Sequence, residues 1–114
     1  MAIVGAHAII HTADAEGVRA LLRDAIGLPS VDAGGGWLIF ALPPSEVAAH
    51  PGEGPARAEL YLMCDDIHAT VAELAAKGVE TTGPVAEERW GLVTGITLPG
   101  GGSLGLYEPH HPRP

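Results

Sequence analysis

One plan is written twice along this chain of 114 residues, and that duplication limits its fold more than any other feature. Ala6-His7-Ala8-Ile9-Ile10 matches Ala58-Glu59-Leu60-Tyr61-Leu62, and each run is followed by a helical pattern opening on Asp. Phe40-Ala41-Leu42-Pro43 matches Ile96-Thr97-Leu98-Pro99, and Val47-Ala48-Ala49-His50-Pro51 matches Gly105-Leu106-Tyr107-Glu108-Pro109. Two copies are too few for a solenoid, whose repeats need several neighbours to bury a continuous core. A pair of pseudo-symmetric modules sharing a sheet fits the pattern instead. The expected division is residues 1–51 and 56–109 within one domain, joined by the Pro/Gly-rich linker 51–55.

Within each copy the periodicity is that of β-α-β-β-β. The first helix is expected over Asp14 to Ile26, with Val18, Leu21, Leu22 and Ala25 as its apolar stripe, Asp14 as cap and Gly27-Leu28-Pro29 as stop. The second runs from Asp66 to Lys77 on Ile67, Val71, Leu74 and Ala75, with Gly78 just past its end. Strand patterns cover Ile3 to His11, Trp37 to Leu42 and Val47 to Ala49, then Glu59 to Cys64, Leu92 to Leu98 and Leu104 to Tyr107. Shorter ones are expected near Ser30 to Ala33 and Val79 to Thr82.

Composition narrows the function classes. Six Lys+Arg against 14 Asp+Glu give a formal net charge of -8, which disfavours a nucleic-acid partner because phosphate contacts need a basic surface. A single Cys cannot form an internal disulfide. No apolar run approaches the ~20 residues of a membrane span. The start of the chain lacks a signal peptide's charged region and long apolar stretch. The expectation is a cytoplasmic protein with no membrane partner.

Strand alternation sorts side chains by face. Leu60, Leu62 and Cys64, Ala8 and Ile10, and Leu104 and Leu106 are expected beneath the helices. Glu59, Tyr61 and Met63, His7, Ile9 and His11, and Ser103, Gly105 and Tyr107 then face the other way. That second face mixes polar, aromatic and small residues, which suits a half-open cavity. Trp37 joins it if its strand pairs as aligned, and Trp90 stands in the polar loop Glu87-Glu88-Arg89-Trp90-Gly91, an unusual place for a core Trp. Phe40 is expected in the core. His7 and His11 lie four apart on a strand, about 13 Å, too far to chelate one metal without a bend. His50, His68, His110 and His111 are given no role, and Cys64 is read as a buried, inert thiol.

The segment Asp14 to Pro29 with its closing Ile-Gly-Leu-Pro resembles the vicinal oxygen chelate superfamily of glyoxalases, extradiol dioxygenases and bleomycin-resistance proteins. So do Leu60 to Glu80, with Cys-Asp-Asp-Ile before the helix and Lys-Gly-Val-Glu after it, and the ending Leu98-Pro-Gly-Gly-Gly-Ser-Leu-Gly-Leu-Tyr-Glu-Pro109. The resemblance implies an α+β fold in which two βαβββ modules form a curved mixed sheet, a half-barrel, with helices on the convex face. Family enzymes place metal ligands at positions that fall here on His7, Val47, Glu59 and Gly105, and commonly have His and Glu at the last two. Glu59 stands where a His is usual and Gly105 offers no ligand, whereas an open divalent-metal site wants about three protein ligands. The resemblance is therefore nearest to the bleomycin-resistance type: a homodimer without cofactor or metal that sequesters a bulky, partly aromatic small molecule. The expected ligand-binding residues are His7, His11, Trp37, Glu59, Tyr61, Met63, Trp90 and Tyr107, with no catalytic residue. The alternatives are a metal-dependent lyase or dioxygenase built on His7 and Glu59, and a module that only dimerises or regulates a partner.

Overall fold

Both Asp-capped patterns form helices in the computed structural model, which describes residues 7–114. Helix α1 spans Ala15–Ala20, and the Asp14 carboxylate accepts the Gly17 N–H at 2.9 Å. It continues as a π-helical stretch over Leu21–Ile26 and stops at Gly27, whose φ of 81° is left-handed. Helix α2 spans Ile67–Ala76; Asp66 caps it through the Ala69 N–H at 3.1 Å, and the left-handed Gly78 follows its end.

The strands are β1 (Ser30–Asp32), β2 (Leu38–Phe40), β3 (Tyr61–Met63), β4 (Ala86–Glu88), β5 (Gly91–Thr97) and β6 (Ser103–Pro109). The second half is thus β-α-β-β-β in a four-stranded mixed sheet of order β3-β6-β5-β4, but its strand after the helix is β4 and not the expected Val79 to Thr82. The β3–β6 pair is parallel, and the β4–β5 and β5–β6 pairs are antiparallel. β1 and β2 form an antiparallel sheet of their own, Ser30 opposite Phe40. The architecture is α+β.

Several strands differ from the pattern. Val47 to Ala49 is not a strand: the run is exposed, Val47 at 98%. Residues 3–6 of the expected first strand lie outside the described residues, and His7 to His11 has no strand structure. Val79 to Thr82 contributes a single bridge, Thr81 to Ile96. β4 was not foreseen, because its three residues are all exposed and leave no apolar alternation; backbone pairing to β5 alone makes it a strand.

The core lies between the helices and one face of the larger sheet. Val18 and Leu21 come from the first helical segment, Ile67 and Leu74 from α2, Ile96 and Leu98 from β5 and just beyond it, and Leu104 and Leu106 from β6. Ile67 and Ile96 are fully buried, each contributing about 1.5–3 kcal/mol of transfer free energy. Leu60, Leu62, Cys64 and Ile10 pack against this cluster from the predicted side. Ala8 is exposed, and Phe40, expected in the core, is only half-buried on β2. The chain as a whole is open. Its accessible surface is 8395 Å², where a compact monomer of this mass exposes about 5,900 Å². Its radius of gyration is 15.0 Å, against about 13 Å for a compact domain.

Candidate functional site

Parallel pairing of β3 with β6 sets Tyr61 beside Gly105 and Met63 beside Tyr107. Their neighbours Leu62, Leu104 and Leu106 turn into the core, so alternation aims Tyr61, Met63 and Tyr107 at the sheet face away from the helices. Gly105 is what allows Tyr61 to lie there. A Cβ at that position would stand 2.2 Å from Tyr61 Cδ1 and 2.6 Å from Cγ, so the ring lies across the strand in the space a side chain would take. Tyr107 is the hub of the face. Tyr61 meets it edge-on at 5.9 Å and 89°, and Trp90 does so at 5.4 Å and 78°. Trp90 is placed by the tight β4–β5 connection, and Gly91 after it has φ 152° with no room for a Cβ against the Glu108 carbonyl.

Acidic side chains rim this face. Arg57 bonds Glu59 and, with hydrogen bonding from Tyr61, holds that carboxyl below its ordinary pKa. Burial, then the charge of Glu59, pushes the Tyr61 phenol up. Burial, then Glu46, does the same for Tyr107. Both phenols therefore stay neutral hydrogen-bonding groups at physiological pH. Glu46 is tied to Arg113 at 2.9 Å, and the His111 ring stacks on Tyr107 at 5.9 Å and 25°. Cys64 is on the helix side of the sheet; burial first, then nearby carboxylates, raise its thiol pKa, the opposite of what a nucleophile needs. The face can stack and hydrogen-bond a ligand, and no activated nucleophile adjoins it among the described residues.

Of the residues predicted for the site, the structure brings together Tyr61, Trp90 and Tyr107, with Met63 and Glu59 on adjacent positions of the same strand or its approach. His7 and His11 are exposed on a segment without strand structure. Trp37 is 67% exposed on the turn before β2, with the Arg19 guanidinium 5.1 Å from its ring centroid rather than in the Tyr107 group. Glu46, His111 and Arg113 were not foreseen. Nothing local in a Pro-rich tail signals a contact across 67 residues. Two clefts lie away from this face, one of about 460 Å³ beside the end of α2 and one of about 280 Å³ along β1–β2.

The donor set does not fit a metal ion. Among the described residues no three His, Cys, Asp or Glu side chains converge on a common point. Val47 points no donor anywhere, and the room beside Gly105 that a carboxylate would need is filled by the Tyr61 ring. No helix among the described residues is long and apolar enough to cross a membrane.

No protein-family model and no curated protein matches the chain. Solved structures do. TnmS3, an antibiotic binding protein from Streptomyces sp. CB03234, superimposes with a TM-score of 0.68 at 26% identity, over 96% of this chain and 98% of that one. A member of the glyoxalase/bleomycin resistance protein/dioxygenase superfamily from Sphaerobacter thermophilus DSM 20745 gives 0.59 at 21% identity, over 93% and 98%. A glyoxalase/bleomycin resistance protein, also from Streptomyces sp. CB03234, gives 0.52 at 21% identity, over 85% and 93%.

Proposed function

By its fold the chain belongs to the vicinal oxygen chelate superfamily, and on that premise we propose that it is a non-catalytic binding protein that sequesters a bulky, partly aromatic small molecule. The observation that carries the reading is the aromatic face itself: Tyr61, Tyr107 and Trp90 meet edge-to-face on the side of the sheet away from the core, with the Tyr61 ring lying over Gly105. The antibiotic-binding neighbour of similar length supports the same reading. Flat, polarisable rings with polar tips suit a planar ligand.

The chain works as a homodimer of two-module subunits, with residues 1–51 and 56–109 as the modules. Its surface exceeds that of a compact monomer by roughly 2,500 Å², the upper end of the roughly 1,000–2,500 Å² that each subunit of an obligate dimer loses. Val31, Trp37 and Val47 supply exposed apolar contacts. Light scattering at micromolar concentration should give about twice 11.7 kDa.

The function is tested by titrating the purified protein with a panel of aromatic antibiotics, following tryptophan fluorescence and calorimetry, with elemental analysis in parallel. Saturable binding at one ligand per chain or per dimer, with ligand recovered unchanged and no stoichiometric metal, is the expected result. One equivalent of metal lost in His7→Ala, with turnover of a bound compound, would replace this reading by the lyase or dioxygenase one.

A further inference from the structure

A segment of the chain itself, through His111 and Arg113, lies on the aromatic face. After β6 the chain folds back, fixed by the His110 N–H donating to the Trp90 carbonyl at 2.8 Å and by His110 Nε2 against Glu108 Oε2 at 2.7 Å. The next residue, His111, lays its ring nearly parallel to Tyr107, with Nε2 at 3.2 Å from the Tyr107 hydroxyl. Its Nδ1 is 2.8 Å from the Pro112 carbonyl; a carbonyl only accepts, so Nδ1–H donates there, and Nε2 is left within hydrogen-bond distance of the Tyr107 hydroxyl. Two residues on, Arg113 donates to Glu46 Oε1 at 2.9 Å, while Glu46 Oε2 is 4.0 Å from His111. The tail thus presents a flat ring to Tyr107 and a cation to Glu46.

We propose that residues 111–114 are an internal occupant of the aromatic face, and that the molecule displacing them is a planar aromatic cation. The inference rests on the ligand-binding reading above and adds the ligand's charge and its competitor. With the tail withdrawn, Tyr107 offers a free ring face flanked edge-on by Tyr61 and Trp90, and Glu46 loses its counter-charge. Rings around a carboxylate attract a cation through both the ring quadrupoles and the ionised group. An anionic ring system finds the opposite, since Glu46 and Glu59 both rim the face. The tail contacts are few and side-chain based, so displacement leaves the β6 ladder and the His110–Trp90 backbone bond intact.

The experiment measures binding of proflavine, a planar aromatic cation, and of anionic 1-anilinonaphthalene-8-sulfonate by calorimetry. The proteins are the full chain, a full-length His111→Gly/Arg113→Gly variant, a chain ending at His110, and that shorter chain carrying Glu46→Gln. The unchanged circular dichroism and melting temperature of the glycine variant, whose altered residues are on the tail, establish that it is folded. Proflavine should bind the full chain, and removing the competitor by either route should tighten it about fivefold by freeing the competent state. Glu46→Gln, made in the chain ending at His110 so that no Arg113 contact is released, should weaken it by a similar factor relative to that chain, and the sulfonate should bind about tenfold more weakly than proflavine. Equal or weaker proflavine binding without the tail overturns the competitor and makes the tail part of the binding wall, with the ligand-binding reading intact. Sulfonate binding as tight as proflavine overturns the cation. No binding of either dye to any of the four proteins overturns this inference together with the aromatic-face reading on which it rests.

Discussion

Replacing Gly105 by Ala tests the geometry on which the aromatic face depends. The new Cβ would start 2.2 Å from Tyr61 Cδ1, whereas carbon atoms in contact sit at about 3.5–4.0 Å, so the ring has to retreat by roughly 1.3–1.8 Å. The contact includes Cγ, next to the backbone, and so bending the ring tip does not relieve it; the whole side chain must rotate. Tyr61 is 41% exposed and has solvent to rotate into, which keeps the strain near the low end of the about 1–3 kcal/mol typical of overpacking. Leaving Tyr107 forfeits a further ~0.5–1.5 kcal/mol of edge-to-face contact. Alanine's advantage over glycine in a strand returns ~0.5–1 kcal/mol. The net loss is about 1–2 kcal/mol, a fall of roughly 4–8 °C in melting temperature for a chain of this length. In a Tyr61→Ala background the obstruction is absent, so Gly105→Ala should be neutral or raise the melting temperature by ~2–4 °C. Differential scanning calorimetry on the four proteins of this cycle reads the coupling directly. Equal losses in both backgrounds would falsify the account, because the glycine would then be needed for something other than the ring.

Trp90→Ala removes an edge contact to Tyr107 from a half-exposed turn, and should weaken binding of a planar dye several-fold while lowering the melting temperature by no more than about 4 °C. Asp66→Ala deletes the acceptor for the Ala69 N–H and should destabilise the protein by about 1 kcal/mol in urea unfolding, with an unchanged denaturant slope. Glu108 accepts from His110 and from the Ile67 N–H, which together hold its pKa down. A carboxyl with a depressed folded value stabilises above its unfolded pKa, about 4.3, and loses that contribution as pH falls through the lower value. Glu108→Gln should therefore flatten the acid side of the stability profile below about pH 4.3 and leave the profile's shape at neutral pH unchanged.

How far the sequence could be read depended on how local the signal for each element is. Both helices were legible because an Asp cap, a 3.6-residue apolar stripe and a stopping glycine are local signals, and Val18, Leu21, Ile67 and Leu74 are buried accordingly. The face assignment of β3 and β6 was legible for the same reason: period-two alternation puts Leu62 and Leu106 in the core and Tyr61 and Tyr107 opposite. The aromatic part of the site followed from it. Glu46, His111 and Arg113 did not, since their meeting depends on where a Pro-rich tail turns after Pro109, and no periodicity encodes that.

The first half shows the limit most clearly. A strand is defined by the backbone groups it satisfies on a neighbour, and an apolar run states only that a segment has something to bury. Val47-Ala48-Ala49 copies the pattern of Gly105-Leu106-Tyr107, yet the second run is the centre of β6, with β3 on one side and β5 on the other, while the first is fully exposed. The same duplication leaves β1–β2 as a lone two-stranded sheet, an arrangement that is marginal in water without a further strand or a covering layer. Val31, Trp37 and Val47 thus stay largely exposed among the described residues, with the Arg19 guanidinium set over the Trp37 ring. In the proposed dimer a second copy would cover these side chains. Charging the run tests this: Val47→Lys leaves the core cluster of the described residues untouched, so a monomeric mass with an intact α2 and β5–β6 sheet is the expected result, and a stable dimer carrying Lys at that position would show that the subunits meet elsewhere.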